Sequence, residues 1–342
     1  MINPMLKAGI KIIGSRLFKS PKIINVCYFV TYKCNANCLF CNIGNKSIEQ
    51  PELDSQQAKN LIDQLSEIGV HWISLVGGEP LLRKDLPQLI DYINQKGMQA
   101  SIVTNGLIVK PTVLDSKPKE INVSLDFLGN LHDTHRNVPM AFKKALEAIA
   151  FYSKNKSRYR FTLGINIVLM PMNIEHIEPL LTFLAQFPID KINIQPLLLP
   201  QVRDQQRITG FSHIEIRKVD NLLKRIHNQF GHLLGTSSLF LKAIPEYLKG
   251  KHQHNLHCFS GSTFLNITPD GEILPCLFMG SAGNIKHTSL KKIIKSNTYH
   301  RLHKRALLRN CCDCLCPDFF EPNLLFYPNK WNNLLKKIVN KR

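Results

Sequence analysis

Cys34, Cys38 and Cys41 form a C-x3-C-x2-C run immediately after an apolar, strand-like segment. Three thiolates on one short loop can converge on three corners of an iron–sulfur cubane and leave the fourth iron without a protein ligand. Such clusters normally take four cysteines. A missing fourth ligand implies an open coordination position, the feature that separates catalytic from structural metal sites. Structural zinc is the competing reading. It wants four ligands, usually as two spaced pairs, and no second pair or histidine lies close by in the sequence.

Further chemistry gathers after later strand-like runs. Gly77-Gly78-Glu79-Pro80 places two glycines where the backbone can approach a ligand closely. Thr104-Asn105-Gly106 is a turn suited to positive φ. Ser124-Leu125-Asp126 is followed by His132-Asp133-Thr134-His135-Arg136. Asn166 and Gln195 are polar residues inside apolar runs, so each reads either as a satisfied core amide or as a group facing a bound ligand. Most of His132, His135, His252, His254 and His257 read as solvated loop histidines, and Cys27 as a small hydrophobe on the first strand.

The cysteine loop, with Phe40 before its last cysteine, resembles the cluster loop of the radical S-adenosylmethionine (radical SAM) enzymes. Several site roles follow from that resemblance. A [4Fe–4S] cluster would sit on Cys34, Cys38 and Cys41, its open iron chelated by the methionine moiety of SAM. Phe40, Gly77, Gly78, Glu79, Asn105, Ser124, Asp126, Arg136 and Asn166 would surround that cofactor. The GGEP segment would contact the methionine amino group, Ser124 and Asp126 the ribose, and Arg136 the carboxylate. This chain departs from the usual pattern by carrying Phe127 after the Asp and Asn137 after the Arg. The implied reaction is reductive cleavage of SAM to a 5′-deoxyadenosyl radical, which abstracts hydrogen from a substrate in peptide or protein modification, or in cofactor or lipid biosynthesis.

A second cysteine set resembles the SPASM or twitch extension of the same enzymes: Cys258, a Pro-Asp-Gly turn, Gly271-x4-Cys276, then Cys311-Cys312-Asp313-Cys314-Leu315-Cys316. One auxiliary [4Fe–4S] cluster is expected on Cys258, Cys276, Cys311 and Cys314, with Cys312 or Cys316 able to replace either of the last two. Zinc in the same thiolates is the alternative.

The elements that must position these groups alternate between strand and helix. Ile23 to Thr31, His71 to Val76, Gln99 to Thr104, Glu120 to Leu125, Phe161 to Leu169 and Lys191 to Gln195 read as strands. Between them, Ala58-Leu61-Ile62-Leu65-Ile68, Leu86-Leu89-Ile90-Ile93 and Phe142-Ala145-Leu146-Ile149 follow the helical period. That pattern predicts an α/β fold with a parallel sheet. The resemblance makes it a partial (β/α)6 TIM-like barrel with a small C-terminal β-hairpin and helix iron–sulfur domain. The expected divisions are an amphipathic segment (1–22), the core barrel (23–200), a helical connector without an obvious further parallel strand (201–254), the auxiliary cluster domain (255–322) and a basic amphipathic tail (323–342).

The chain has 342 residues, ten cysteines and a formal net charge of +19. Clustered cysteines in a chain this long suit reduced thiolates kept for metal rather than a disulfide framework. No apolar run reaches the length of a membrane span, and basic residues interrupt the N-terminal stripe where a signal peptide would need continuity. The expected setting is cytoplasmic, with membrane association left open. The positive charge favours acidic partners such as an acidic peptide or an anionic lipid surface. Nucleic acid is not expected, because no recognised binding pattern is present. The stripes Leu6-Ile10-Ile13-Leu17 and Trp331-Leu334-Leu335-Ile338 read as barrel caps or as peripheral membrane contacts. A reductase such as flavodoxin or ferredoxin is the implied electron donor. A non-catalytic iron–sulfur carrier or SAM-binding scaffold is the competing class.

Overall fold

A strand whose residues alternate between apolar and polar presents two unlike faces, and here the alternation builds a helix-covered sheet with a polar concave side. The computed structural model describes residues 21–43, 51–198, 210–250, 257–311 and 314–326. The basic stripes near both ends, Cys312, His252 and His254 lie outside those residues.

The first half runs β1 (Asn25–Phe29), α1 (Ser55–Glu67), β2 (Trp72–Val76), α2 (Leu86–Gln95), β3 (Gln99–Thr104), α3 (Thr112–Asp115) and β4 (Glu120–Ser124). Then come α4 (Asn130–Arg136), α5 (Ala141–Tyr159), β5 (Thr162–Leu169), α6 (Ile177–Leu184) and β6 (Lys191–Pro196). Adjacent strands in this series are all parallel, as β-x-β crossovers require. The connection after Asn105, the weakest in the sequence, contains only the single-turn α3.

Helix starts are set locally. Asp54 caps α1 by accepting the Gln57 N–H, and the Gln57 side chain returns the favour to the Asp54 N–H, completing a capping box. The α1 and α2 stripes are buried as their period predicts, except that Ile68 falls just past the end of α1. In α5 the buried face is Ala141, Ala145, Ala148, Ile149 and Tyr152, so Phe142 and Leu146 are only partly covered. The small alanines explain that rotation: a Cβ on Gly106 would stand 3.1 Å from the Ala145 Cα, so the helix lies close against the strand ends.

Val26, Tyr28, Ile73, Leu75, Ile121, Val123, Ile165, Ile167, Ile192 and Ile194 are buried. By register, the residues between them share the concave face. There the Trp72 Nε1–H donates to Ser101 Oγ, whose hydroxyl donates to Ser74. Lys191 pairs with Glu120 at 2.8 Å, Asn122 Nδ2 donates to Glu120, and Asn193 Nδ2 donates to Asn122 and Asn166.

The sheet does not stop at six strands. Its order is β6-β5-β4-β3-β2-β1-β7-β8, with β7 (Phe264–Ile267) parallel to β1 and β8 (Ile273–Leu274) returning antiparallel. The C-terminal hairpin therefore continues the barrel sheet. It satisfies the edge of β1 that would otherwise present unpaired backbone groups. At the opposite edge the connector is helical as expected, with α7 (His213–Phe230) and α8 (Ser238–Leu248). Between them Leu234 bridges Ile192 in parallel, with the Gly235 N–H donating to the Ile192 carbonyl at 2.8 Å. One residue is too short to show as a strand pattern, which is why the sequence conceals it. Three further short helices follow: α9 (Leu290–Ile294), α10 (Asn297–Leu307) and α11 (Pro317–Phe320).

Candidate metal centre

The loop carrying Cys34, Cys38 and Cys41 leaves the C-terminal end of β1, the end at which barrel enzymes assemble their sites. Its base is held by backbone and buried polar bonds. Glu52 Oε1 accepts the Thr31 hydroxyl at 2.9 Å and the Tyr32 N–H at 2.7 Å. Arg83 donates to the Val30 carbonyl and to the Leu53 carbonyl, and a two-point contact with Asp85 fixes its guanidinium.

The two GGEP glycines press against this base. A Cβ on Gly77 would lie 2.4 Å from the Thr31 carbonyl oxygen, and one on Gly78 would lie 2.2 Å from that of Lys33. The N–H groups of Gly78 and Glu79 donate to those same two carbonyls. Close approach is thus required by the protein's own backbone at both glycines. Glu79 is fully buried, and its carboxylate accepts from Thr104 Oγ1 and from the N–H groups of Leu81 and Asn105. Burial pushes it up to about 7, against the pull of those donors. It is a strut between β2 and β3.

Asn105 and Arg136 reach the cysteines themselves. Asn105 Nδ2 donates to Asn35 Oδ1 at 2.8 Å and lies 3.9 Å from Cys34 Sγ. Arg136 Nη1 lies 3.7 Å from Cys38 Sγ, and Nη2 pairs with Asp126 at 2.6 Å. The Asp126 carboxylate has no exposure; its other oxygen accepts the Val168 N–H. Burial raises it, but the Arg136 guanidinium and the Val168 N–H outweigh burial and hold it below the usual carboxylate range. Both Asp126 oxygens thus have partners inside the protein, and Arg136 bridges Asp126 and the Cys38 sulfur.

The helix α4 explains why Arg136 arrives there. It ends at Asn137, whose left-handed φ of 52° an Asn tolerates. The carbonyls of His135 and Arg136, left over at the helix end, accept the N–H groups of Leu39 and Asn37. Phe40 stacks on His135 with centroids 4.9 Å apart, and the Arg136 guanidinium lies 5.2 Å from the Phe40 ring. His132 and His135 are buried, contrary to the solvated expectation. Burial and the nearby guanidinium hold them at about 3 and about 4, hence neutral. Their spacing of three on one helix, ahead of the arginine, was the available signal.

Ser124, the last residue of β4, is the register partner of Asn166 in the middle of β5, and both are half-buried on the concave face. Gln195 stands one strand over, on the same face. Tyr32, Glu52, Arg83 and Asp270, which sequence reasoning passed over, hold the loop; nothing in their local pattern marks them. Tyr32 reaches across to the β7–β8 turn, where its hydroxyl donates to Asp270.

In the C-terminal unit Cys258, Cys276, Cys314 and Cys316 are buried, and Cys311 is partly covered. Burial pushes the Cys258 thiol up to about 12, and nearby Cys276 and Cys311 add to that effect. Cys316 instead feels Asp318, Cys314 and Cys27. Among the described residues no trio of metal-ligating side chains is drawn together at ligand distance. The donor sets still fit iron–sulfur clusters: they are thiols, Cys38, Cys258, Cys276 and Cys314 buried and Cys34, Cys41 and Cys311 partly covered. A buried donor, Arg136 Nε, has no partner beside the first set. Cys34 is pushed up to about 11, chiefly by burial, so metal binding must displace its proton.

A sequence profile of the Radical SAM superfamily matches residues 28–184, and the SPASM profile, an iron–sulfur cluster-binding domain, matches residues 258–315. The chain carries a radical SAM domain followed by a SPASM domain. This radical SAM protein is 25% identical over 321 residues to an AdoMet-dependent heme synthase of Methanosarcina barkeri, covering 86% of this chain and 88% of the relative. An Fe-coproporphyrin III synthase of the same organism is 33% identical over 181 residues, or 51% of this chain, which spans only 44% of that relative's length. SuiB of Streptococcus suis bound to S-adenosylmethionine shares the fold with a TM-score of 0.67 and 16% identity, covering 85% of this chain and 70% of its own. The partial-barrel reading holds, and the cofactors are a [4Fe–4S] cluster, SAM and an auxiliary iron–sulfur cluster. The family match and the relatives named as synthases support catalysis over the scaffold or carrier reading. No helix among the described residues is long and apolar enough to cross a membrane.

Proposed function

We propose that this enzyme binds SAM at the Cys34, Cys38 and Cys41 loop and acts on an anionic substrate held against the concave face. The carrying observation is the loop itself: three cysteines at the C-terminal mouth, with Asn105 beside Cys34 and Arg136 beside Cys38. When bound, the cluster and SAM supply one-electron cleavage of the sulfonium and hydrogen-atom abstraction by the resulting 5′-deoxyadenosyl radical; that chemistry belongs to the cofactors. The protein's residues bind and orient. Ser124 and Asn166 offer a hydroxyl and an amide at the sheet mouth for the ribose and adenine side of SAM. The stacked Phe40 and His135 close the loop against water. Cys258, Cys276, Cys311 and Cys314 would hold the auxiliary cluster.

An anionic substrate is supported by the net charge of +19 and by relatives named for heme and Fe-coproporphyrin III, the latter carrying propionates. The same charge suits an acidic flavodoxin or ferredoxin as reductant. The deciding experiment is anaerobic. Protein reconstituted with iron and sulfide is given SAM and dithionite, and 5′-deoxyadenosine is assayed beside a Cys34→Ala, Cys38→Ala, Cys41→Ala variant. Production that disappears in the variant supports the reading, and equal production in both sinks it. Fe-coproporphyrin III added as probe is expected to raise 5′-deoxyadenosine formation several-fold; no change would remove that substrate.

A further inference from the structure

A cationic side chain sealed against a metal-ligand sulfur does more than hold a loop. Arg136 is 7% exposed. Its Nη2 is neutralised by Asp126, its Nη1 meets Cys38 Sγ, and its Nε–H has no acceptor at all. The guanidinium therefore has one donor on a cluster cysteine and another left unspent beside it. In a low-dielectric pocket a fixed charge acts far more strongly than in water, and the neighbouring His132 and His135 are neutral.

We propose that Arg136 and Asp126 form a built-in electrostatic pair that sets the reduction potential of the cluster on Cys34, Cys38 and Cys41. The inference rests on the cluster assignment above. Arg136 stabilises the form that has accepted one electron from the external reductant, both by its charge and by N–H donation to the Cys38 sulfur, two of the levers that tune iron–sulfur potentials. Asp126 aims the fork and moderates it from behind.

The test is an EPR-monitored redox titration of the reconstituted protein. The relevant signal is the one absent from the Cys34→Ala, Cys38→Ala, Cys41→Ala variant. Arg136→Met is expected to lower the equilibrium constant for reduction at least tenfold, which for one electron is a fall of about 59 mV. Asp126→Asn removes the opposing charge and is expected to shift the potential upward. Arg136→Lys, which keeps the charge and loses the fork, is expected to fall between wild type and Arg136→Met. A loop that had merely loosened would admit water and raise the potential in both the Met and Asn variants. Unchanged potentials, or two upward shifts, overturn the proposal. If Arg136→Met takes up no cluster, Arg136→Lys decides: its potential is expected to fall below wild type, where a loosened loop would raise it. Absence of any iron signal from the three-cysteine site in wild type would instead strike the cluster assignment itself.

Discussion

The Tyr32 hydroxyl donates to Asp270 Oδ1 at 2.8 Å, joining the cysteine loop after β1 to the turn between β7 and β8, 238 residues away in sequence. Asp270 also accepts the Thr268 hydroxyl, and the Leu53 N–H donates to the neighbouring Pro269 carbonyl. The C-terminal hairpin is thus a wall of the first site as well as part of the second. Tyr32→Phe is expected to remove one charge-assisted bond and destabilise the protein by about 1–2 kcal/mol. Thermal unfolding would read that loss, and Asp270→Asn should not add fully to it, since the two residues act as one contact.

Gly78 tests how tightly the GGEP turn is set against the loop. A methyl there collides with the Lys33 carbonyl, a backbone atom that cannot swing aside. Gly78→Ala is expected to displace the cysteine loop and cost at least half of the iron bound at the first site, measured by iron analysis after reconstitution. Gly97→Ala is the control. Gly97 has a φ of +74° with nothing within 4 Å of a Cβ, so only backbone strain of about 1 kcal/mol is expected and iron loading should stay normal.

Much of this arrangement could be read from residue types. The three-cysteine loop, the helical stripes of α1 and α2 and the strand series follow from periodicity and spacing, and the family follows from the cysteine and GGEP patterns. What could not be read was direction. Asp126 and Arg136 look like ligand-binding groups in sequence because they are polar and follow a strand; only packing shows that they face each other and Cys38. Nor does the sequence show that three donors surround Glu79. The single-residue bridge at Leu234 and the docking of β7 on β1 depend on contacts too distant in sequence for any local pattern to record.

Glu79 should leave its mark on the pH dependence of stability. Its folded value of about 7 lies above the ordinary 4.5. Between those values the native state holds a proton that the unfolded chain has released, so stability falls as pH rises through that window. The contribution is complete below 4.5 and gone above 7, and the displacement corresponds to about 3 kcal/mol. Glu79→Gln cannot titrate, so its melting temperature should lack that slope between pH 4.5 and 7. A slope of wild-type size in the variant would assign it to another group.

Cys316 separates the auxiliary ligands from their neighbours. Cys258 feels Cys276 and Cys311, whereas Cys316 feels Asp318, Cys314 and Cys27 on β1. Cys316 also lies outside the stretch 258–315 that the SPASM profile matches. Serine substitution of Cys258, Cys276, Cys311 or Cys314 is therefore expected to lower iron content by the amount of one cluster, with the first site still able to cleave SAM. Cys316→Ser is expected to keep its full iron content. Iron and sulfide analysis of the five variants reads this directly. Loss of a cluster in Cys316→Ser with retention in Cys314→Ser would exchange the two assignments.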